Sequence, residues 1–279
     1  MLNPEQGACK LGVRRRGRDE DVIRLVFLLR RRPELSVLEF QRYWREEHGP
    51  LVASHGRHID VLRYVQVHTL DDPVNRAMAE ARGGMEPPYD GVAELWWENR
   101  DKLAAALAAE AGQRAAAELL EDERQFIDLA ASPLWLAHEY PQVNPTPENL
   151  VAAPHSTLAK LYFPLRALPG MDPAAAQFYW RTNHGPIIRR HAPASGLLRY
   201  LQVHRALDDE LESTLRSSRG TQVDPYLGHA EVWIDRLETG RSPERTAAGR
   251  AAIEDESKFI DFARSSMWIG KEHVFVDHR

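Results

Sequence analysis

The feature that most constrains this chain is that it contains itself twice. Residues Val22 to His68 align without a gap onto Leu158 to His204 at a constant offset of 136, with 19 of the 47 positions identical; chance would give about three. The anchors are Tyr43-Trp44-Arg45 with Tyr179-Trp180-Arg181, His48-Gly49-Pro50 with His184-Gly185-Pro186, and Leu62 to His68 with Leu198 to His204. Further on, Pro88-Tyr89-x-Gly91 through Trp96 matches Pro225-Tyr226-x-Gly228 through Trp233, and Glu121-Asp122-Glu123 through Trp135 matches Glu254-Asp255-Glu256 through Trp268. So long a period is not that of a solenoid, whose units run to a few tens of residues. It implies two whole domains, 22–142 and 157–279, joined by a Pro-rich polar linker over 143–156. Residues 1–21, with Arg14-Arg15-Arg16-Gly17-Arg18 and then Asp19-Glu20-Asp21, read as a solvated, disordered N-terminal tail.

Composition excludes several classes. The formal net charge is −5, so the basic footprint of a nucleic-acid binder is missing. Cys9 is the only cysteine, which leaves no intrachain disulfide and no Cys-x-x-Cys site. Apolar runs such as Leu25 to Leu29 are far shorter than a membrane span needs. The expectation is a cytoplasmic protein with neither nucleic-acid nor membrane partners.

Each half reads β-α-β-β-α-β. The first strands are Ile23 to Arg30 and Ala159 to Arg166. Ser36 with Glu39 forms a capping box, and Asp172-Pro173 opens the equivalent helix. Strands over Leu62–His68, Gly91–Trp97 and Leu134–Tyr140, with their second copies, complete an α+β, ferredoxin-like arrangement whose helices cover one sheet face. Two such sheets can pair into an intrachain α/β barrel. Segments Asp71–Pro88 and Asp208–Pro225 are too long for hairpin loops; each is either a lid over the barrel mouth or a plain surface insertion.

Strand alternation divides the side chains between faces. Val65 and Val67 share the face suited to helices, which leaves Tyr64, Gln66 and His68 for the lumen; Tyr200, Gln202 and His204 repeat this. Glu94 with Trp96, and His229 with Glu231 and Trp233, join that wall. Phe40, Trp44 and His48 form one helical stripe facing the sheet, and Gly49-Pro50 must break or kink the helix; the second copy places Trp180 and His184 likewise. Histidine suits proton transfer because its unperturbed pKa of about 6.5 lies near neutrality. The copies differ where His229 stands for Val92, Tyr162 for Val26 and Lys271 for His138, so His138 joins the wall of the first half. A single dominant site would be the set His184, Tyr200, His204, His229 and Glu231.

The Tyr-Trp-Arg-x-x-His-Gly-Pro motif with the later Leu-Arg-Tyr-x-Gln-x-His strand resembles the EthD-type family of the dimeric α/β-barrel superfamily, here tandem duplicated over nearly all of residues 22–279. The resemblance implies a pseudo-dimer within one chain, which leaves further homodimerisation open. It also implies His48 and His184 as cavity residues and acid/base candidates. Superfamily members include cofactor-free monooxygenases, cyclases, lactone isomerases, dehydratase-like enzymes and heme proteins. The twelve histidines here form no HExxH pair and no finger, and no P-loop or GxSxG elbow is present. The expectation is therefore a cofactor-independent, metal-free lyase, isomerase or cyclase acting by proton transfer on a hydrophobic, aromatic small molecule bound inside the barrel. Catalysis would rest on His48 and His184, and binding on Trp44, Tyr64, Gln66, His68, Glu94, Trp96, Trp180, Tyr200, Gln202, His204, His229, Glu231 and Trp233. The alternatives are a cofactor-free monooxygenase of phenolic or polyketide substrates and a non-enzymatic binding barrel.

Overall fold

A computed structural model describes residues 22–145, 150–237, 240 and 242–278. The segment read as a disordered tail, 1–21, lies outside the described residues. The first half runs β1 (Ile23–Leu29), α1 (Val37–Tyr43), a π-turn (Trp44–His48), α2 (Gly49–His55), β2 (Arg63–Thr69), α3 (Pro73–Glu80), β3 (Gly91–Trp97), α4 (Arg100–Ala108), α5 (Glu110–Phe126) and β4 (Leu134–Val143). The second runs β5 (Leu158–Leu165), α6 (Pro173–Tyr179), a second π-turn (Trp180–His184), α7 (Gly185–Ser195), β6 (Leu197–Arg205), α8 (Glu210–Arg219), β7 (Gly228–Asp235), α9 (Pro243–Glu256) and β8 (Trp268–Asp277).

The strands form one closed antiparallel barrel in the order β1-β3-β2-β8-β5-β7-β6-β4. Each half contributes a four-stranded ferredoxin-like sheet, and the sheets join edge to edge through β2 with β8 and β4 with β6. Closure removes every free edge, the usual weak point of an antiparallel sheet. The expected caps are present: Ser36 and Glu39 bond reciprocally at the start of α1, and Asp172 caps α6.

Both faces of the sheet are buried. Outside, β1–β4 pack on α1, α2, α4 and α5 through Leu25, Phe27, Phe40, Trp44 and Leu103, and the second half repeats this around Phe163, Trp180 and Phe259. Inside, Val26, Val65, Val67, Trp135, Tyr162, Leu201, Val203 and Trp268 fill the lumen. The linker takes part, because Ala152 is fully buried in that interior and exchanges hydrogen bonds with Glu272.

This reverses the face expected for β2 and β6. Residues directly opposite in a ladder share a face, and Val65 lies opposite Glu94 while Tyr64 lies opposite Leu95. Val65 and Glu94 therefore point into the lumen together; Tyr64, Gln66 and His68 point out toward the helices. In the second half Leu201 lies opposite Glu231 and Tyr200 opposite Val232, with the same result. The physical reason is that a barrel gives valine an apolar home on its inner side. His138 and Lys271 also lie off the lumen, alternating with Ala137 and with Glu272, which point inward.

The long β2–β3 and β6–β7 connections cross between halves. α3 of the first half packs on β8, and α8 of the second packs on β4. Leu211 and Leu215 enter the first half's outer core, and Met78 and Met85 enter the second's. Arg219 holds Glu123 through two bonds of 2.8 and 2.7 Å, and Arg82 holds Glu256 at 2.8 and 3.1 Å.

Candidate functional site

The helix carrying the histidine motif does not break at Gly49-Pro50. Proline lacks an N–H and its ring collides with the carbonyl four residues back, and widening one turn relieves both. The Gly49 N–H reaches back to the Trp44 carbonyl, and Gly185 does the same to Trp180. The Trp44 carbonyl also accepts from Gln66 Nε2 at 2.7 Å, and the Trp180 carbonyl from Gln202 Nε2 at 2.9 Å. Widened turn and strand are thus locked together by the glutamine of the Tyr-x-Gln-x-His motif.

That motif is a one-way chain of hydrogen bonds. Gln66 spends its N–H groups on Trp44 and Tyr64, so its Oε1 must accept, and His68 Nε2–H donates to it at 2.9 Å. The Tyr64 oxygen accepts from Gln66 Nε2 at 2.9 Å and from the Trp44 indole at 3.2 Å. Both lone pairs are taken, and the phenolic proton has no acceptor among the described residues. Burial pushes the Tyr64 phenol up, beyond what the hydrogen bonds from Gln66 and Trp44 offset, so it stays protonated as a donor. Tyr200, Gln202, His204 and Trp180 repeat the chain at 2.9–3.2 Å. His68 and His204 lie flat against Trp44 and Trp180, with ring centroids 4.6 and 4.5 Å apart. Burial pushes His68 well down and His204 down to about 3, so both are neutral supports behind the tryptophans. Gly91 permits this stacking, because a Cβ there would collide with the Trp44 ring.

His48 Nδ1 meets Asp122 Oδ2 at 2.6 Å, and His184 Nδ1 meets Asp255 Oδ2 at 2.9 Å. The other carboxylate oxygen accepts from Tyr43 at 2.7 Å and from Tyr179 at 2.8 Å. Burial alone would raise the Asp122 carboxyl, but the hydrogen bonds from His48 and Tyr43 outweigh it and hold it below its usual range; Asp255 behaves alike. Burial and Asp122 together push Tyr43 up to about 12. An ionised aspartate at Nδ1 fixes the Nδ1–H tautomer and leaves Nε2 as the proton-accepting nitrogen.

Each histidine lines a cavity between the sheet and its helices. The first, about 360 Å³, is walled by Trp44, His48, Tyr64, Trp97, Leu103 and Leu119 and closed by Leu215, Ser218 and Arg219 from the other half's α8. The second, about 400 Å³, is walled by Trp180, His184, Tyr200, Ile188 and Ile234 and closed by Met78 and Arg82. The long segments therefore cover the other half's cavity and not the barrel mouth, and both cavities lie outside the barrel, whose filled interior leaves the expected inner substrate site no room.

Glu94, Trp96, His229, Glu231 and Trp233 lie on the opposite side of the sheet, in the lumen. The set expected as one dominant site is thereby divided: His184 and Tyr200 line a cavity, His204 supports Trp180, and His229 and Glu231 belong to the interior. There Arg24 pairs with Glu94, Glu231 and Glu139, while Lys160 Nζ lies 2.8 Å from Glu94, 3.1 Å from Glu231 and 3.4 Å from Glu272. Trp96 and Trp233 donate to Glu139 and Glu272 at 2.6 and 2.9 Å. Glu94, His229 and Glu231 are close enough to share a metal ion. The two basic side chains already seated on both carboxylates fit that role poorly, since a cation there would have to displace them.

Sequence reasoning missed Asp122, Asp255, Glu123, Glu256, Arg82 and Arg219. The available signal was Glu-Asp-Glu repeated in both halves, whose aspartate orients the histidine and whose second glutamate anchors the crossed lid.

The sequence matches the EthD domain over residues 32–130 and again over 168–263. Among curated proteins, none matches it. A solved structure of an anthrone oxidase-like protein is similar in fold, with 10% identity, a TM-score of 0.53, and 94% of this chain and 96% of that chain covered. A candidate monooxygenase from Lactobacillus acidophilus aligns at 9% identity and a TM-score of 0.46, covering 93% and 97%. A dye-decolorizing peroxidase from Bacteroides thetaiotaomicron aligns at 9% and 0.44, covering 90% and 92%.

Proposed function

The chain belongs to the EthD domain family, and on that premise we propose that it is a small-molecule enzyme that removes a proton from an activated carbon of an apolar, aromatic substrate held in the sheet–helix cavities. The observation that carries this reading is the pairing, in each cavity wall, of an aspartate-oriented histidine with a tyrosine whose only unused hydrogen-bonding function is its proton. His48 Nε2, or His184 Nε2, takes the proton from carbon, and the imidazolium that forms is stabilised through Nδ1–H by Asp122 or Asp255. The electron pair moves onto the adjacent carbonyl oxygen, where Tyr64 or Tyr200 donates its O–H. Returning the proton to another carbon gives an isomerase, attack of the carbanion on a second carbonyl of the same molecule with the proton delivered to the resulting alkoxide gives a cyclase, and expelling a β-substituent gives a lyase. Trp44, Trp180 and the aliphatic walls hold the aromatic body.

A second reading follows from the same anion. The name of the anthrone oxidase-like neighbour suggests transfer of the carbanion's electrons to O₂, which for anthrone gives anthraquinone and water.

Anthrone is a suitable probe for both, because its acidic carbon lies beside a carbonyl in a flat aromatic frame. Anaerobic incubation in D₂O, followed by NMR, should show exchange at that carbon faster than in buffer alone. His48→Gln combined with His184→Gln should abolish the excess. An unchanged rate in the double variant overturns the histidine role, and O₂ consumption in air, measured with an electrode, selects the oxidase reading.

A further inference from the structure

The two cavities share one end and differ at the other. Around the histidine the copies agree: Trp44 and Trp180, Tyr64 and Tyr200, Phe27 and Phe163, Ala93 and Ala230. At the far end the first cavity is sealed by Ile59, Trp97, and Leu103 and Leu107 of α4. Seven residues separate β7 from α9, and no counterpart of α4 is found among the described residues. The second cavity is bounded there by Ser195, in the place of Ile59, and by His191 and Arg245.

Two further replacements act in the same direction. His55, the counterpart of His191, is turned away from the first cavity and tied to Glu118 at 3.1 Å. The position equivalent to Glu118 is Ala251, so His191 has lost its carboxylate and has no hydrogen-bond partner among the described residues. The position equivalent to Arg245 is Gly112, where a side chain would strike the Ala106 carbonyl at the end of α4. His191 and Ser195 are one helical turn apart on α7, and Arg245 approaches from the first turn of α9, donating from Nη1 to the Gly240 carbonyl at 3.4 Å. Loss of a hydrophobic plug, loss of an acid and gain of a guanidinium converge on one spot.

We infer that the second cavity takes a carboxylic acid, its carboxylate held between His191, Ser195 and Arg245 and its apolar body running to His184, whereas the first cavity takes an uncharged molecule. The inference rests on the reading of the cavities as substrate sites and adds to it that the duplicated halves have diverged in ligand charge. An Arg–carboxylate hydrogen bond is of the stronger, charge-assisted kind.

The test is calorimetric titration of the full chain with 2-naphthoate and with neutral 2-naphthalenemethanol. Arg245→Gln should weaken naphthoate about tenfold and leave the alcohol within twofold. Ala251→Glu restores an acid beside His191 without removing any wall residue, and it should weaken naphthoate by a similar factor. Loss confined to the acid in both variants supports the assignment. Equal effects on acid and alcohol, or naphthoate binding unchanged by either variant, overturn the charge preference while leaving the cavities as ligand sites. Failure of both probes to bind the unmodified protein overturns it together with the reading beneath it.

Discussion

The two halves of the barrel interior hold the same charged residues in different states. Glu94 and Glu231 are equivalent, both fully buried, and both contact Arg24 and Lys160. Burial pushes Glu94 up to about 7 despite those cations, with the neighbouring charge of Glu231 adding to the rise. Glu231 suffers the same burial but is held well below the usual carboxylate range by Arg24, Lys160 and a hydrogen bond from His229 at 2.9 Å. Valine stands in His229's place beside Glu94. The Val-to-His difference therefore adds one hydrogen bond to the charged form of Glu231, on top of the larger pull of Arg24 and Lys160, and Glu94 has no counterpart to it. Small asymmetries on a duplicated frame can separate chemical roles, and the cavities outside the barrel show the same divergence at larger scale.

The largest expected effect asks whether the two histidines have diverged too. His48→Gln and His184→Gln, made singly, should each remove about 10²–10⁴-fold of the turnover in their own cavity. Equal halving of total anthrone exchange by each would show two equivalent sites, and near-complete loss with one would show a single working half. Chemical denaturation of the carboxylate variants comes next. Glu231→Gln leaves Arg24 and Lys160 under-neutralised and should cost about 3–5 kcal/mol at pH 7, with Glu94→Gln costing much less. The pH signs also differ. Because Glu94 binds its proton more tightly folded than unfolded, its contribution falls as pH rises from about 4.5 to about 7, so Glu94→Gln should gain on the unmodified protein across that window. Glu231 supplies stability above its unfolded value that is lost only in acid, as pH falls through its depressed folded value. Variants with identical pH profiles would refute the asymmetry. The smallest effect concerns the crossed lids. Arg219→Ala should speed ligand release from the first cavity and Arg82→Ala from the second, each by severalfold, as read by stopped-flow tryptophan fluorescence. Release quickened in the half that supplies the arginine would refute the crossing.

Much of the frame was legible in the sequence because the duplication exposes it. Two copies of one strand–helix pattern indicated two ferredoxin-like units and the barrel they close, and paired His-Gly-Pro motifs singled out the helix whose histidine faces a cavity, although that helix runs on past the proline. The face of β2 was misread because alternation says which residues go together, not which side they take. With Tyr64-x-Gln66-x-His68 the polar set proved to be the helix-facing one, where the π-turn's Trp44 carbonyl accepts a second hydrogen bond from Gln66. Asp122 and Arg219 stayed hidden for another reason. Asp122 is 74 residues from His48, and Arg219 is 96 from Glu123, so no local period links them. An acidic run on a helix resembles any solvated surface until its partners are known.

The edge-to-edge joint also bears on how the chain is made. When the first half has left the ribosome, its sheet has β2 and β4 bare at both margins, and their partners β8 and β6 are still unmade. At typical elongation rates that interval lasts on the order of ten seconds, far longer than a hairpin needs to form. On a crowded polysome, the exposed margins of one nascent chain can meet those of the next, and a mutually swapped dimer would satisfy every ladder found in the monomer. The covalent linker works against this by keeping the correct partner at high effective concentration, so the length of the linker sets how often synthesis ends in one closed barrel rather than in two entangled ones.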